Sequence, residues 1–190
     1  RKVVGPHVRQ AGSLVIPDKL RFDFTHLTSL STEELRDTQL LVNQKVRENL
    51  LISSRRSTYV EAIDNGALAF FGDKYGSEVR VVSMGARAGS CTPFSVELCG
   101  GTHVNATGEI GPLFILGESG VGGGTRRIEA VSGRKAEDLF QERSDLLFNV
   151  ATRLDTSMLD LEERLESFID EAVGLRKRLK VFEQASHISE

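Results

Sequence analysis

At 190 residues, 39% hydrophobic and 27% charged, the chain is long enough for one domain with a sizeable core plus an appendage. A formal net charge of −3 excludes a globally basic nucleic-acid binder, although Arg1, Lys2, Arg9, Lys19 and Arg21 against the single acid Asp18 make a locally basic segment. No apolar run approaches the roughly 18 residues of a membrane span, and Cys91 and Cys99 are too few for a disulfide framework, which points to a reducing, cytoplasmic setting.

The first ten residues read as the end of a helix continued from an upstream part and closed by Gly5-Pro6. With no initiator Met, the chain reads as a piece of a longer protein. Ser13 to Ile16 and Lys19 to Phe24 read as strands around Pro17-Asp18. In the second, Leu20, Phe22 and Phe24 alternate with Lys19, Arg21 and Asp23, the period of a half-buried antiparallel strand. Residues 31–50 predict a helix, with Ser31 and Glu34 forming a capping box and Leu35, Thr38, Val42 and Val46 on its buried face. A short strand at 51–55, a helix at 58–65 capped by Ser57, a turn at 72–76 and a strand at 79–84 follow. After a loop carrying Cys91, the strand Ser95 to Leu98 runs into Cys99-Gly100-Gly101-Thr102-His103. A turn at 107–111, a strand at 113–119, the glycines of 120–124 and a strand at 125–131 complete the pattern. Antiparallel strands interleaved with two helices make an α+β fold, a sheet packed with helices. From about residue 134 glycine nearly vanishes, and a leucine-rich three-four repeat from Phe140 to Phe182 predicts helices at 134–153 and 158–186, a helical hairpin or coiled coil. The domains are accordingly placed at 1–133 and 134–190.

Cys99 and His103 are the closest soft-ligand pair in the sequence. Thiolate and imidazole are preferred zinc ligands, and Gly100 and Gly101 let the backbone curl between them. Two ligands do not make a site, so from these residues alone a buried cysteine beside an unrelated loop histidine is the better reading. Gly120 to Gly124 lacks the Lys-Ser/Thr of a P-loop and joins two strands, which suits a wide hairpin that approaches a ligand or a plain structural turn. Gln10 and Ser13 are, by themselves, ordinary polar residues at a strand entrance.

Several motifs in one order resemble the editing region of alanyl-tRNA synthetases: Gln10-Ala11-Gly12-Ser13-Leu14-Val15, Leu20 to His26, Gly72 to Gly76, Glu97 to Val104, Thr107 to Gly111 and Arg126 to Val131. The resemblance covers residues 1–135 by motif and 136–190 by helical character. It implies the threonyl/alanyl-tRNA synthetase editing-domain fold and hydrolysis of Ser-tRNA(Ala) and Gly-tRNA(Ala), with the acceptor end of tRNA(Ala) as partner. It implies Cys99 and His103 as zinc ligands beside an H-x-x-x-H pair upstream of Arg1, and a loop at 86–94 longer than the family's usual connection. Gln10 and Thr102 are expected as catalytic-pocket polar groups, and Gly122, Gly123 and Gly124 as substrate-binding positions near the acceptor end. ATP and magnesium belong to the parent enzyme, which attaches alanine to tRNA(Ala). A tRNA-binding module without competent chemistry, and a helical segment that forms a homodimer, are the competing readings; no membrane partner is expected.

Overall fold

The computed structural model describes residues 1–70, 75–85 and 93–187. The chain divides into two compact units, Arg1–Asp138 and Leu139–Glu190.

The first unit is built on two antiparallel sheets. One has four strands in the order β1 (Gln10–Ile16), β2 (Lys19–Thr25), β7 (Thr125–Ser132) and β6 (Leu113–Gly122). The other has three in the order β3 (Ile52–Thr58), β4 (Glu78–Met84) and β5 (Ser95–Leu98), with Leu68 bridging alongside Glu97 in parallel. Helices α1 (Thr32–Glu48) and α2 (Tyr59–Asp64) join these strands. The α+β class read from the sequence is the one found.

The residues dictate most of these elements locally. Ser31 caps α1 through a complete capping box: its hydroxyl accepts from Glu34 N at 3.1 Å, and Glu34 Oε2 accepts from Ser31 N at 2.8 Å. Asn49 ends α1 in the left-handed region at φ 50°, where an asparagine is tolerated. The cap of α2 is Thr58 rather than Ser57; the Ser57 hydroxyl instead donates to Glu61 Oε2 at 2.9 Å. Residues 1–9 form no helix: Gly5 N donates to Arg1 O and Val8 N to Gly5 O, a pair of turns, because Gly5 sits at φ 134° and Pro6 follows it. The turn at 72–76 and the loop around Cys91 lie largely outside the described residues.

Side chains of α1 complete the edge of the four-stranded sheet. Asn43 Nδ2 donates to Leu113 O and Asn43 Oδ1 accepts from Leu113 N, each at 2.8 Å, and Gln39 Oε1 accepts from Ile115 N at 2.8 Å. Residues four apart on a helix lie on one face, so the two amides reach successive outward-facing groups of β6. An Asn43→Ala variant is expected to lose about 1–3 kcal/mol, the cost of stranding half-buried backbone groups. The measurement is a lower urea midpoint at unchanged slope.

Two clusters make the core. Phe24, Val8 and Leu30 pack with Phe22, Leu35 and Ile128, and Val79, Val81 and Leu98 pack with Ala62 and Ala67. Thr107 and Ser57 are buried polar residues, and Thr107 is 2% exposed. Its hydroxyl accepts from Leu50 N at 2.8 Å and donates to Lys45 O at 2.6 Å, which ties the one-turn 3-10 helix Thr107–Ile110 to the end of α1.

Helix α3 (Arg134–Arg153) begins in the first unit and ends in the second, which also holds α4 (Leu161–His187). The second helix starts three residues later than predicted, because the Ser157 hydroxyl accepts from Leu159 N and Asp160 N and holds a turn there. Ala151 is buried, but Phe140, Leu147, Leu165, Phe168 and Leu175 are exposed. No described helix is long and apolar enough to cross a membrane.

Candidate functional site

Strand β5 has two unlike faces, and this sorts the site residues. Val96 and Leu98 pack into the cluster around Val81. Ser95 and Glu97 point the other way, into a cavity of about 410 Å³. Its walls come from β2 and β7 (Phe22, Phe24, Ile128), α1 (Thr38, Leu41, Val42) and the strand edge at Leu68 and Phe70. Gln10 also lines it and donates from Nε2 to Ser13 Oγ at 3.0 Å.

Cys99 follows directly on β5. Its N–H donates to Arg80 O at 3.1 Å, which extends the β4–β5 ladder by one pair beyond Val81↔Leu98. By alternation Cys99 therefore lies on the face of Ser95 and Glu97. The Arg80 guanidinium, on the same face of the neighbouring strand, donates from Nη1 to Gly101 O. One residue thus pins the turn twice, by backbone at Cys99 and by side chain at Gly101. The exit is held in turn by Ile52 N donating to Asn105 O at 2.8 Å, by the bridge Leu51↔Ala106 and by buried Thr107. Between these anchors Thr102 and His103 stand exposed.

The glycines at 122–124 close the β6–β7 hairpin. The predicted wide connection is instead a tight two-residue turn at Gly123-Gly124, with φ of 57° and 72°. Two successive positive φ values are the type I′ requirement, met here by glycine. Gly124 O accepts from His26 N at 2.9 Å. These glycines do not line the cavity, and neither do Thr102, Cys99 or His103; of the expected site residues, Gln10 alone does.

Cys99 and His103 fit zinc in donor type, a sulfur and an imidazole nitrogen. They do not complete a site: among the described residues no group of three or more His, Cys, Asp or Glu is placed to hold a metal. Two further ligands would have to come from outside these residues.

The sequence reading missed the charged groups that frame this architecture. Arg126, on the inner face of β7, makes a two-pronged pair with Glu118 from Nε and Nη2, and Nη2 also donates to Ser29 Oγ at 3.0 Å. Arg127, on the outer face, does the same with Asp23 at 2.7 and 2.8 Å. Hydrogen bonds from these guanidiniums hold the carboxyls of Glu118 and Asp23 below their ordinary range against the opposing effect of desolvation. Glu97 was also passed over, although its parity with Cys99 was visible in the sequence.

Residues 79–129 match the family model described as threonyl and alanyl tRNA synthetase second additional domain. Nearly the whole chain is similar to alanine–tRNA ligases. It is 46% identical over 184 residues to that of Rhizobium johnstonii, covering 94% of this chain and 21% of the relative. It is 41% identical over 190 residues to that of Pseudothermotoga lettingae, covering 100% and 21%. It is 44% identical over 180 residues to that of Acetivibrio thermocellus, covering 95% and 20%. The chain spans about a fifth of the length of these relatives. Most of β4, all of β5, the Cys99–His103 turn and most of β7 lie inside the stretch similar to the threonyl and alanyl tRNA synthetase second additional domain, and the likeness to alanine–tRNA ligases runs through nearly all of the chain.

Proposed function

We propose that these residues form the editing region of an alanine–tRNA ligase and hydrolyse the ester of Ser-tRNA(Ala) and Gly-tRNA(Ala). The observation that carries the reading is a cavity lined by Gln10 and by Ser95 and Glu97, the latter two on the β5 face that continues into Cys99 and within the stretch matched by the family model. Its volume of about 410 Å³ suits an aminoacyl group with part of its ribose. In the reaction, water adds to the ester carbonyl carbon, the bond to the ribose oxygen breaks, and that oxygen takes a proton as the amino acid leaves. Gln10 offers an amide beside Ser13 for the polar part of the substrate. Thr102, Cys99 and His103 are carried on the turn that Arg80 pins.

Zinc is the proposed metal, with Cys99 and His103 supplying two of its ligands and the remainder lying outside the described residues. The tRNA acceptor end is the proposed partner, and Gly122, Gly123 and Gly124 at the β6–β7 turn are the part assigned to it. Attachment of alanine to tRNA with ATP and magnesium is proposed only for a whole protein containing these residues.

A second reading, an acceptor-stem binder without chemistry, is favoured for the 190 residues alone by the incomplete ligand set among the described residues. The test compares the whole protein with the 190-residue chain. The whole protein is expected to deacylate serine- and glycine-charged tRNA(Ala) and to spare alanine-charged tRNA(Ala), while the short chain binds the charged tRNA without hydrolysing it. A whole protein that leaves serine-charged tRNA(Ala) intact would overturn the editing reading.

A further inference from the structure

Among the described residues lining the cavity Glu97 is the one carboxylate, alongside Phe22, Phe24, Leu41, Val42 and Phe70. Its sequence neighbours Val96 and Leu98 are committed to the opposite core, so strand alternation fixes the carboxylate toward the cavity. Ser95, two residues earlier on the same face, donates from Oγ to Glu97 Oε1 at 2.6 Å. That bond uses one of the roughly four acceptor positions of a carboxylate. Among the described residues Glu97 makes no ion pair. Lys2, which also lines the cavity, is instead placed over the Phe94 ring, 5.3 Å from its centroid. Arg1 lines the cavity too and makes no ion pair with Glu97. A carboxylate oriented by a hydroxyl, half-buried in a largely apolar chamber and without an ion-pair partner among the described residues, is suited to receive a small cation with several N–H donors.

We propose that Glu97, oriented by Ser95, binds the α-ammonium group of the aminoacyl ester and makes a free amino group a requirement of the site. This rests on the editing reading. Serine, glycine and alanine esters all carry the ammonium, so Glu97 selects for an aminoacyl ester as a class, and discrimination by side chain falls to other groups. The contact lies in a half-buried site, where a charged hydrogen bond is stronger than at the open surface. A pocket with a committed polar partner also rejects an analogue that cannot satisfy it.

The test uses the whole protein with seryl-tRNA(Ala) and its N-acetylseryl counterpart, which keeps the ester and loses the charge. The wild type is expected to prefer the free amine, with Glu97→Gln lowering kcat/KM for that substrate roughly tenfold and leaving the N-acetyl rate unchanged. Ser95→Ala is expected to fall in the same direction, about threefold. Equal losses on both substrates, or no loss on either, would overturn the proposal; thermal unfolding of each variant separates misfolding from the first of these. A binding arm stands apart from hydrolysis: calorimetry with the non-hydrolysable 3′-seryl-amide of adenosine and its N-acetyl form. A wild type that leaves the ester intact yet binds the amide in a Glu97-dependent way would end the hydrolytic reading and keep this one. Active hydrolysis with amide binding indifferent to Glu97 would do the reverse.

Discussion

Replacing Glu118 with glutamine is expected to destabilise the chain by about 1–3 kcal/mol, the cost of leaving a part-buried charged hydrogen-bond partner incompletely satisfied. Glu118 faces the same side of the sheet as Ile128 and Phe22, and its side chain is only 5% exposed. Glutamine keeps the volume but offers Arg126 one acceptor and one competing donor in place of two acceptors. The partner is not freed to water, because Arg126 is itself 16% exposed and reaches Ser29 from the same sheet end. The pH dependence has a definite sign. The folded carboxyl titrates below its ordinary value, first because Arg126 donates to it, so its stabilisation is present above about pH 4.5 and is lost as pH falls through the depressed folded value. Denaturant titrations should show wild type and variant well separated at pH 7 and converging in acid. A gap unchanged down to pH 2 would mean that the loss comes from packing and not from charge.

Thr107→Val should cost about 2–3 kcal/mol while adding nothing in bulk. Valine matches the shape of threonine but removes both the acceptor for Leu50 N and the donor to Lys45 O, and Thr107 is 2% exposed, so no water can take their place. Thr107→Ser, which keeps both bonds and loses one methyl, should cost about 0.8 kcal/mol. Urea midpoints that rank the serine variant below the valine variant would refute this account. The consequence reaches the site, because Thr107 anchors the chain just after Ala106, where the turn bearing Thr102 and His103 rejoins the body.

The regular elements were legible wherever local chemistry decides. The capping box at Ser31, the alternation of Leu20, Phe22 and Phe24, and the leucine repeat past residue 134 all became the elements they predict. What was not legible needed a partner distant in sequence. Asn43 reads as a neutral helix residue until β6 is laid beside it, 70 residues later. Arg126 and Arg127 read as one alternating strand, yet each is tied to a different face by an acid from a different strand. Residues 1–9 failed in the opposite sense: a helix was inferred from supposed upstream context, and Gly5-Pro6 resolves into local turns instead. In the candidate site, the motif pointed to Cys99 and His103, but it could not reveal that Arg80 pins their turn or that the neighbouring acid looks into a cavity.

The amide contacts from α1 also bear on how this molecule meets other molecules. A four-stranded sheet has two outer rims, and a rim is a template for a strand from another chain. Near Leu113 and Ile115, Asn43 and Gln39 already occupy the outward-facing groups of β6, so an incoming strand finds no ladder to join there. Growth of the sheet at that end is confined to the β1 side. A helix whose adjoining face lines a cavity thus also covers part of that rim against strand-to-strand association.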